Sequence, residues 1–273
     1  DSADKQSTIA ALVTIPFRSL TIAGTVLHDI NGLQGTPVYT VDGTGTNPGG
    51  LNAVLYSAGG TVLDVQAVNT NGTFSFTNKD GGNYNVLITT NTATIGQPTP
   101  SVALPFGWVN TGEFLGALTT PGADAIMDGK LLLGNLTDNV TNAKFGIEQL
   151  PFANNNTINN ISNPGAHNNY TVPNQSFLPT DADGFVTGIT VNSFPTNTNT
   201  ITLNGTTYIG LTGTCPGNIT CTPWPGSVYV PFDVAGNPVQ PVLVDPVDGN
   251  TQVAIKYTAM DNAGRSSILS GTL

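Results

Sequence analysis

Between Leu20 and Thr90 apolar side chains return at every second position in short runs, and each run stops at a pair of turn-forming residues. Thr25 and Leu27 flank Val26, Val54 and Tyr56 flank Leu55, Phe74 pairs with Phe76, and Tyr84, Val86 and Ile88 make a fourth run. The closing pairs are Asn31-Gly32, Gly59-Gly60, Asn71-Gly72 and Gly81-Gly82. Neighbouring side chains of an extended chain point to opposite faces, so a period of two between tight turns describes half-buried antiparallel strands. A helix needs apolar residues at i, i+3, i+4 and i+7, and no segment keeps that spacing for three turns. The predicted class is all-β, built as a β-sandwich.

The stretches GTVLHDING, GLNAVLY, NGTFSF and GGNYNV resemble the B-type (Cna-B-like) repeat domains of bacterial surface adhesins, especially those in large secreted proteins of Bacteroidota. The resemblance implies an extracellular Ig-like stalk or filament module without catalysis. Such domains frequently carry an isopeptide bond from a Lys on the first strand. Residues 20–27 contain no Lys, so the bond is not carried over. Beyond an Asn- and Pro-rich stretch at 150–174, alternation resumes over 184–191, 200–209, 228–232, 239–244 and 253–257, with SSILSGTL as the final strand. There DADG, DPVDG and MDNAG resemble bacterial Ig and cadherin-like repeats. The expected organisation is two Ig-like β-sandwich domains in tandem with an extra N-terminal strand: an extension at 1–19, a Cna-B-like sandwich at 20–149 and a bacterial Ig-like sandwich at 150–273.

Of 273 residues only 9% are charged, with a formal net charge of −10, while Asn, Thr and Gly abound. A surface kept wet by amides and hydroxyls suits a secreted, cell-surface β protein. Seven Lys and Arg against seventeen Asp and Glu argue against nucleic acid as a partner, because phosphate neutralisation needs a basic patch. No run of eighteen apolar residues offers a transmembrane span. The chain opens at Asp1 without a charged-then-apolar leader, so a signal peptide is expected to have been removed already.

Catalytic signatures are missing: there is no GxSxG elbow, HExxH or phosphate-binding loop, and Glu113 and Glu148 are the only Glu residues. No enzyme activity is expected. Cys215 and Cys221 lie too far apart for a CxxC pair and far from His28 and His167, so a loop-closing disulfide in an oxidising compartment is predicted. No cofactor is required, but hard cations want several oxygens from a tight loop, and two sets offer them for calcium. One is Asp29 with Asn31 and Asp42; the other is Asp181 with Asp183 and Asp261. Their Asp-Gly and Asn-Gly neighbours are equally turn signals, and both readings stand.

Upstream, residues 7–17 place Ile9, Ala11, Val13, Ile15 and Phe17 on one face of a strand. Either it pairs within its own sandwich, or it serves as a donor strand for the exposed sheet edge of a second copy. Pro16 favours the second, because it holds its neighbours extended and away from a tight return. The reading is a structural or adhesive subunit of a bacterial surface filament that polymerises head to tail with itself. The alternative is a module binding carbohydrate or another ligand, such as host or surface glycans, on Trp108, Trp224 and several Tyr. Trp108 taken alone fits a core position as well as a sugar platform.

Overall fold

The computed structural model describes residues 17–32, 41–115, 127–217 and 219–273. It is all-β, two sandwiches in tandem, each around its own apolar core. Of the donor-strand residues, Ile9, Ala11, Val13 and Ile15 lie outside the described residues. Phe17 is described, and its side chain is 92% exposed.

The first sandwich is organised by β1 (Leu20–His28). It pairs antiparallel with β5 (Thr73–Lys79) on one side and parallel with β9 (Val140–Gln149) on the other, and β9 carries β7 (Trp108–Leu115) at the sheet edge. The end of β1 also pairs with β2 (Thr44–Gly45). The facing sheet runs β4 (Val62–Ala67), β3 (Asn52–Ser57), β6 (Gly82–Thr89), β8 (Lys130–Leu136). Between the layers lie Leu20, Ile22, Val26, Phe76, Leu55, Ile88 and Phe145, all essentially without solvent contact. Val26, not Leu27, faces this core, because it shares the face already set by Leu20 and Ile22. Strand β3 departs from simple alternation, with Ala53 to Tyr56 all buried. Its outer face is covered by residues 91–104, which pin themselves on through Thr90 N–H to Ala103 O (2.8 Å) and Val62 N–H to Gln97 O (2.9 Å).

After β10 (Phe152–Asn154), β11 (Tyr170–Thr171) and β12 (Leu178–Thr180), the second sandwich sets β13 (Val186–Val191) between β17 (Val228–Pro231) and β19 (Lys256–Asp261), with β20 (Gly271–Thr272) outside. The opposing sheet is β11, β18 (Leu243–Pro246), β14 (Thr198–Leu203), β15 (Thr206–Ile209), β16 (Thr222–Pro223). Several expectations are corrected here. The run 200–209 is a hairpin, turned at Asn204-Gly205, where both residues have positive φ (52° and 75°). The strand expected over 239–244 begins only at Leu243, since Pro238 and Pro241 cannot donate to a ladder. The last strand is Gly271–Thr272 alone, with Ile268 and Leu269 exposed. Trp224 is no platform: it is buried in the second core, edge-on to Phe194 and Tyr208.

Candidate functional site

The sandwiches meet where β1 and β9 end and where β7 and β13 begin. Strand β1 delivers His28, Asp29 and the Asn31-Gly32 turn; β9 delivers Glu148 and Gln149; the β12–β13 connection brings Asp181 and Asp183; β19 ends in Asp261, followed by Asn262, Ala263 and Arg265. Asp183 closes the junction. Its Oδ2 accepts from Gln149 N–H at 2.9 Å and stands 2.6 Å from His28 Nε2, whose ring packs against Trp108 at 5.0 Å. Asn262 Nδ2 donates to Ile30 O at 3.0 Å, and Arg265 Nη2 donates to Asn110 O at 3.3 Å. Two glycines permit this approach. A Cβ on Gly184 would overlap Asn262 Oδ1, and one on Gly32 (φ +52°) would press on Ala263 Cβ.

The sequence placed its two acidic sets far apart, and the fold brings them to one place. Parallel pairing of Leu27 with Gly146 and His28 with Ile147, continued by Asp29 N–H to Ile147 O at 2.9 Å, carries Asp29 alongside Glu148. Asp29 Oδ2 accepts from Thr111 at 2.6 Å, and Asp42 acts on Asp29 through its charge and its amide while remaining exposed itself. Asp261 Oδ1 accepts from Arg265 N–H at 2.7 Å; Arg265 Nε is 3.6 Å from Glu148 Oε1. Glu148 was not singled out as a ligand. A Glu directly after the buried run Phe145 to Ile147 is the signal, but it sits outside any loop motif.

These carboxylates are crowded and dry. Burial, then the charges of Asp261, Asp183 and Asp181, push Glu148 to about 8 against the opposing pull of Arg265. Asp181 is pushed to about 7, by burial first and then by Asp183. Asp29 is pushed to about 6, mainly by burial, with Thr111 opposing. Asp261 is also raised, by burial foremost. Seven buried side-chain polar atoms among the described residues lack a hydrogen bond, and five of them are here: Asp29 Oδ1, Asn31 Oδ1, Glu148 Oε1, Asp181 Oδ1 and Asp261 Oδ2. Among the described residues no group of three or more His, Cys, Asp or Glu is already arranged to hold a metal ion.

Two further features lie elsewhere. Cys215 and Cys221 are joined in a disulfide across a six-residue separation. At the end of the second sandwich remote from the junction, a groove of about 720 Å³ lies between the edge strands β11 and β20, lined by Tyr170, Val172, Val244, Ile255 and Leu273 and walled by the Asn-rich residues 155–164, where Asn156 N–H donates to Thr272 O at 2.9 Å. Among the described residues no helix is long and apolar enough to cross a membrane.

No protein-family model and no curated protein matches the chain. Solved structures similar to it include the major pilin subunit BcpA of Bacillus cereus, with 10% identity, 93% of this chain and 67% of that chain covered, and a TM-score of 0.38. The full-length major pilin SpaD of Corynebacterium diphtheriae gives 12% identity, 95% and 66% coverage and a TM-score of 0.30. A DUF3823 family protein from Bacteroides uniformis gives 14%, 94%, 98% and 0.24. The chain thus spans about two thirds of the two pilins' length. Likenesses at these scores assign no family.

Proposed function

We propose that this chain is a non-enzymatic structural or adhesive subunit of an extracellular filament or stalk on a bacterial surface, assembling head to tail by donation of residues 7–17. In this reading 1–19 is the donor extension and 20–149 and 150–273 are the two body domains. The observation that carries it is the placement of the two ends. Strand β1 runs from Leu20 to His28, and His28 touches the second sandwich, so the segment preceding Leu20 leaves at the far end of the first. Strand β19 runs from Lys256 to Asp261 at the junction, so the groove beside Ile255 and Leu273 opens at the opposite end of the molecule. Phe17 at the root of the segment is bare of packing. On the β20 side Thr272 is already bonded to Asn155 and Asn156, so an incoming strand pairs along the free edge of β11, gaining ladder hydrogen bonds there, displaces residues 155–156 and sends its alternate side chains into the core between the layers. A donor at one end and an acceptor at the other form a heterologous contact, which propagates as an open filament.

The test is deletion of residues 1–17 and, separately, Val13→Asp, read by electron microscopy and sedimentation. Both variants should lose filaments, keep a folded body and bind the 1–17 peptide added in trans. Filaments that persist after the deletion, or a first sandwich that unfolds without it, would overturn the reading.

A further inference from the structure

We propose that a calcium ion bridges the two sandwiches at their junction, held by Glu148 of the first and Asp181 and Asp261 of the second, with Asp29 and Asn31 completing the oxygen set. Among the described residues the buried oxygens without a hydrogen bond include Glu148 Oε1, Asp181 Oδ1 and Asp261 Oδ2, from three stretches of chain whose carboxylates act on one another through their charges, and Asp29 Oδ1 and Asn31 Oδ1 at the end of β1, which docks on the same junction through His28 and Ile30. Leaving a buried polar atom unpaired is costly, and leaving a buried carboxylate so is costlier. Asp29, Glu148 and Asp261 are each at least 98% buried, so water does not make up the deficit freely. Arg265 faces this group but forms no hydrogen bond to Glu148, and His28 is engaged with Asp183. A divalent cation supplies the missing positive charge and satisfies several lone pairs at once.

The donor chemistry selects the ion. All five atoms are oxygens, from four carboxylates and one amide, which suits a hard cation; neither thiolate nor a free imidazole is offered to a softer one. Calcium takes six to eight oxygens in adaptable geometry, whereas magnesium demands a compact octahedron and gives up its water reluctantly. Ligands spread over strand ends and turns fit the former. Among the described residues these acidic side chains are not already arranged around a shared centre, so binding would draw them inward from their present rotamers. The ion would tie the end of β1 and β9 to the start of β13 and the end of β19, fixing the angle between the sandwiches. This inference does not depend on filament assembly.

Calcium titration of the full chain by calorimetry at pH 7.5 should show saturable binding of one ion per chain, and a hundredfold excess over Kd should raise Tm by about 5–10 °C over chelator. Asp261→Asn and Glu148→Gln should each abolish that rise while matching or exceeding the wild-type Tm in chelator, because neutralising a carboxylate relieves the repulsion. A merely damaged fold would instead lose stability in chelator. No calorimetric binding, an equal rise from sodium chloride at matched ionic strength, or a rise retained in both variants would overturn the proposal.

Discussion

The first core and the junction are held together by opposite means. Phe76, Phe145, Leu55 and Ile88 are buried among carbon atoms, and every contact they make is attractive at any pH. Glu148 and Asp261 are as buried as these, Asp181 and Asp183 are half-buried beside them, and there their charges oppose one another. Apolar burial makes each sandwich a self-sufficient unit. The joint between them depends on what neutralises it, by protons, by Arg265 or by a cation. The apolar contribution to stability inside a sandwich should therefore be insensitive to pH and cations, and the coupling between sandwiches should follow them closely.

The largest expected effect is in the core. Phe76→Ala removes a fully buried ring that meets Phe74 edge-on at 5.9 Å between centroids. Loss of transfer energy plus the cavity should cost about 3–5 kcal/mol. Denaturant unfolding should give the same loss at pH 5 and pH 8, with and without calcium. A loss that changes with pH would mean the two regions are not separable.

Next is the pH dependence of the junction. Glu148, Asp181, Asp261 and Asp29 all have folded-state pKa values raised above their unfolded ones, to about 8, 7 and 6 for Glu148, Asp181 and Asp29. The folded state then binds more protons than the unfolded one between about pH 4 and 8, so stability is fully present below that window and lost as pH rises through it. In chelator Tm should fall from pH 5 to pH 8, by an amount worth on the order of a few kcal/mol. The groups that shape this slope are the four acids with Asp183, Asp42, Arg265 and His28. With calcium the slope should flatten or reverse, because the cation binds the deprotonated forms. A flat profile in chelator would show that the carboxylates are not strained by folding.

What the sequence revealed follows the same division. Strands β1, β3, β5 and β6 were legible because each buries one face and ends at Gly or Asn pairs. Strand β3 is buried on both faces only because residues 91–104 fold back over it, which alternation cannot announce. In the second half, Pro238 and Pro241 hid where β18 begins, and the Asn204-Gly205 turn inside an apolar run concealed a hairpin. Asp29, Asn31, Asp181, Asp183 and Asp261 could be picked out by their turn motifs. That they meet Glu148 is a consequence of the parallel β1–β9 pairing and of the docking of two domains, contacts separated by more than a hundred residues that no local spacing encodes.

The smallest effect sharpens the comparison because it uses the same chemistry with the opposite sign. Asp64 on β4 is half-buried at the side of the first sandwich, and burial, its largest single influence, would raise its pKa. Hydrogen bonds from Lys79 and Gln66, the charge of Lys79 and the amide of Val65 together outweigh burial and leave it lowered. Lys79 Nζ is 2.5 Å from Asp64 Oδ2, and both side chains are about four-fifths covered. A lowered folded pKa means stability present above the unfolded value near 4 and lost as pH falls through the folded value. Lys79→Met keeps the aliphatic stem across β4 and β5 and removes the charge, so it should cost up to about 1 kcal/mol at pH 7 and nothing at pH 2. Glu148→Gln should do the reverse, gaining stability in chelator at pH 8 and leaving pH 4 unchanged. Two carboxylates would then titrate stability in opposite directions within one chain, according to whether the cation beside them, Lys79 or Arg265, outweighs burial and neighbouring carboxylates. If both substitutions move stability the same way with pH, the distinction between a compensated surface charge and an uncompensated buried one fails for this protein.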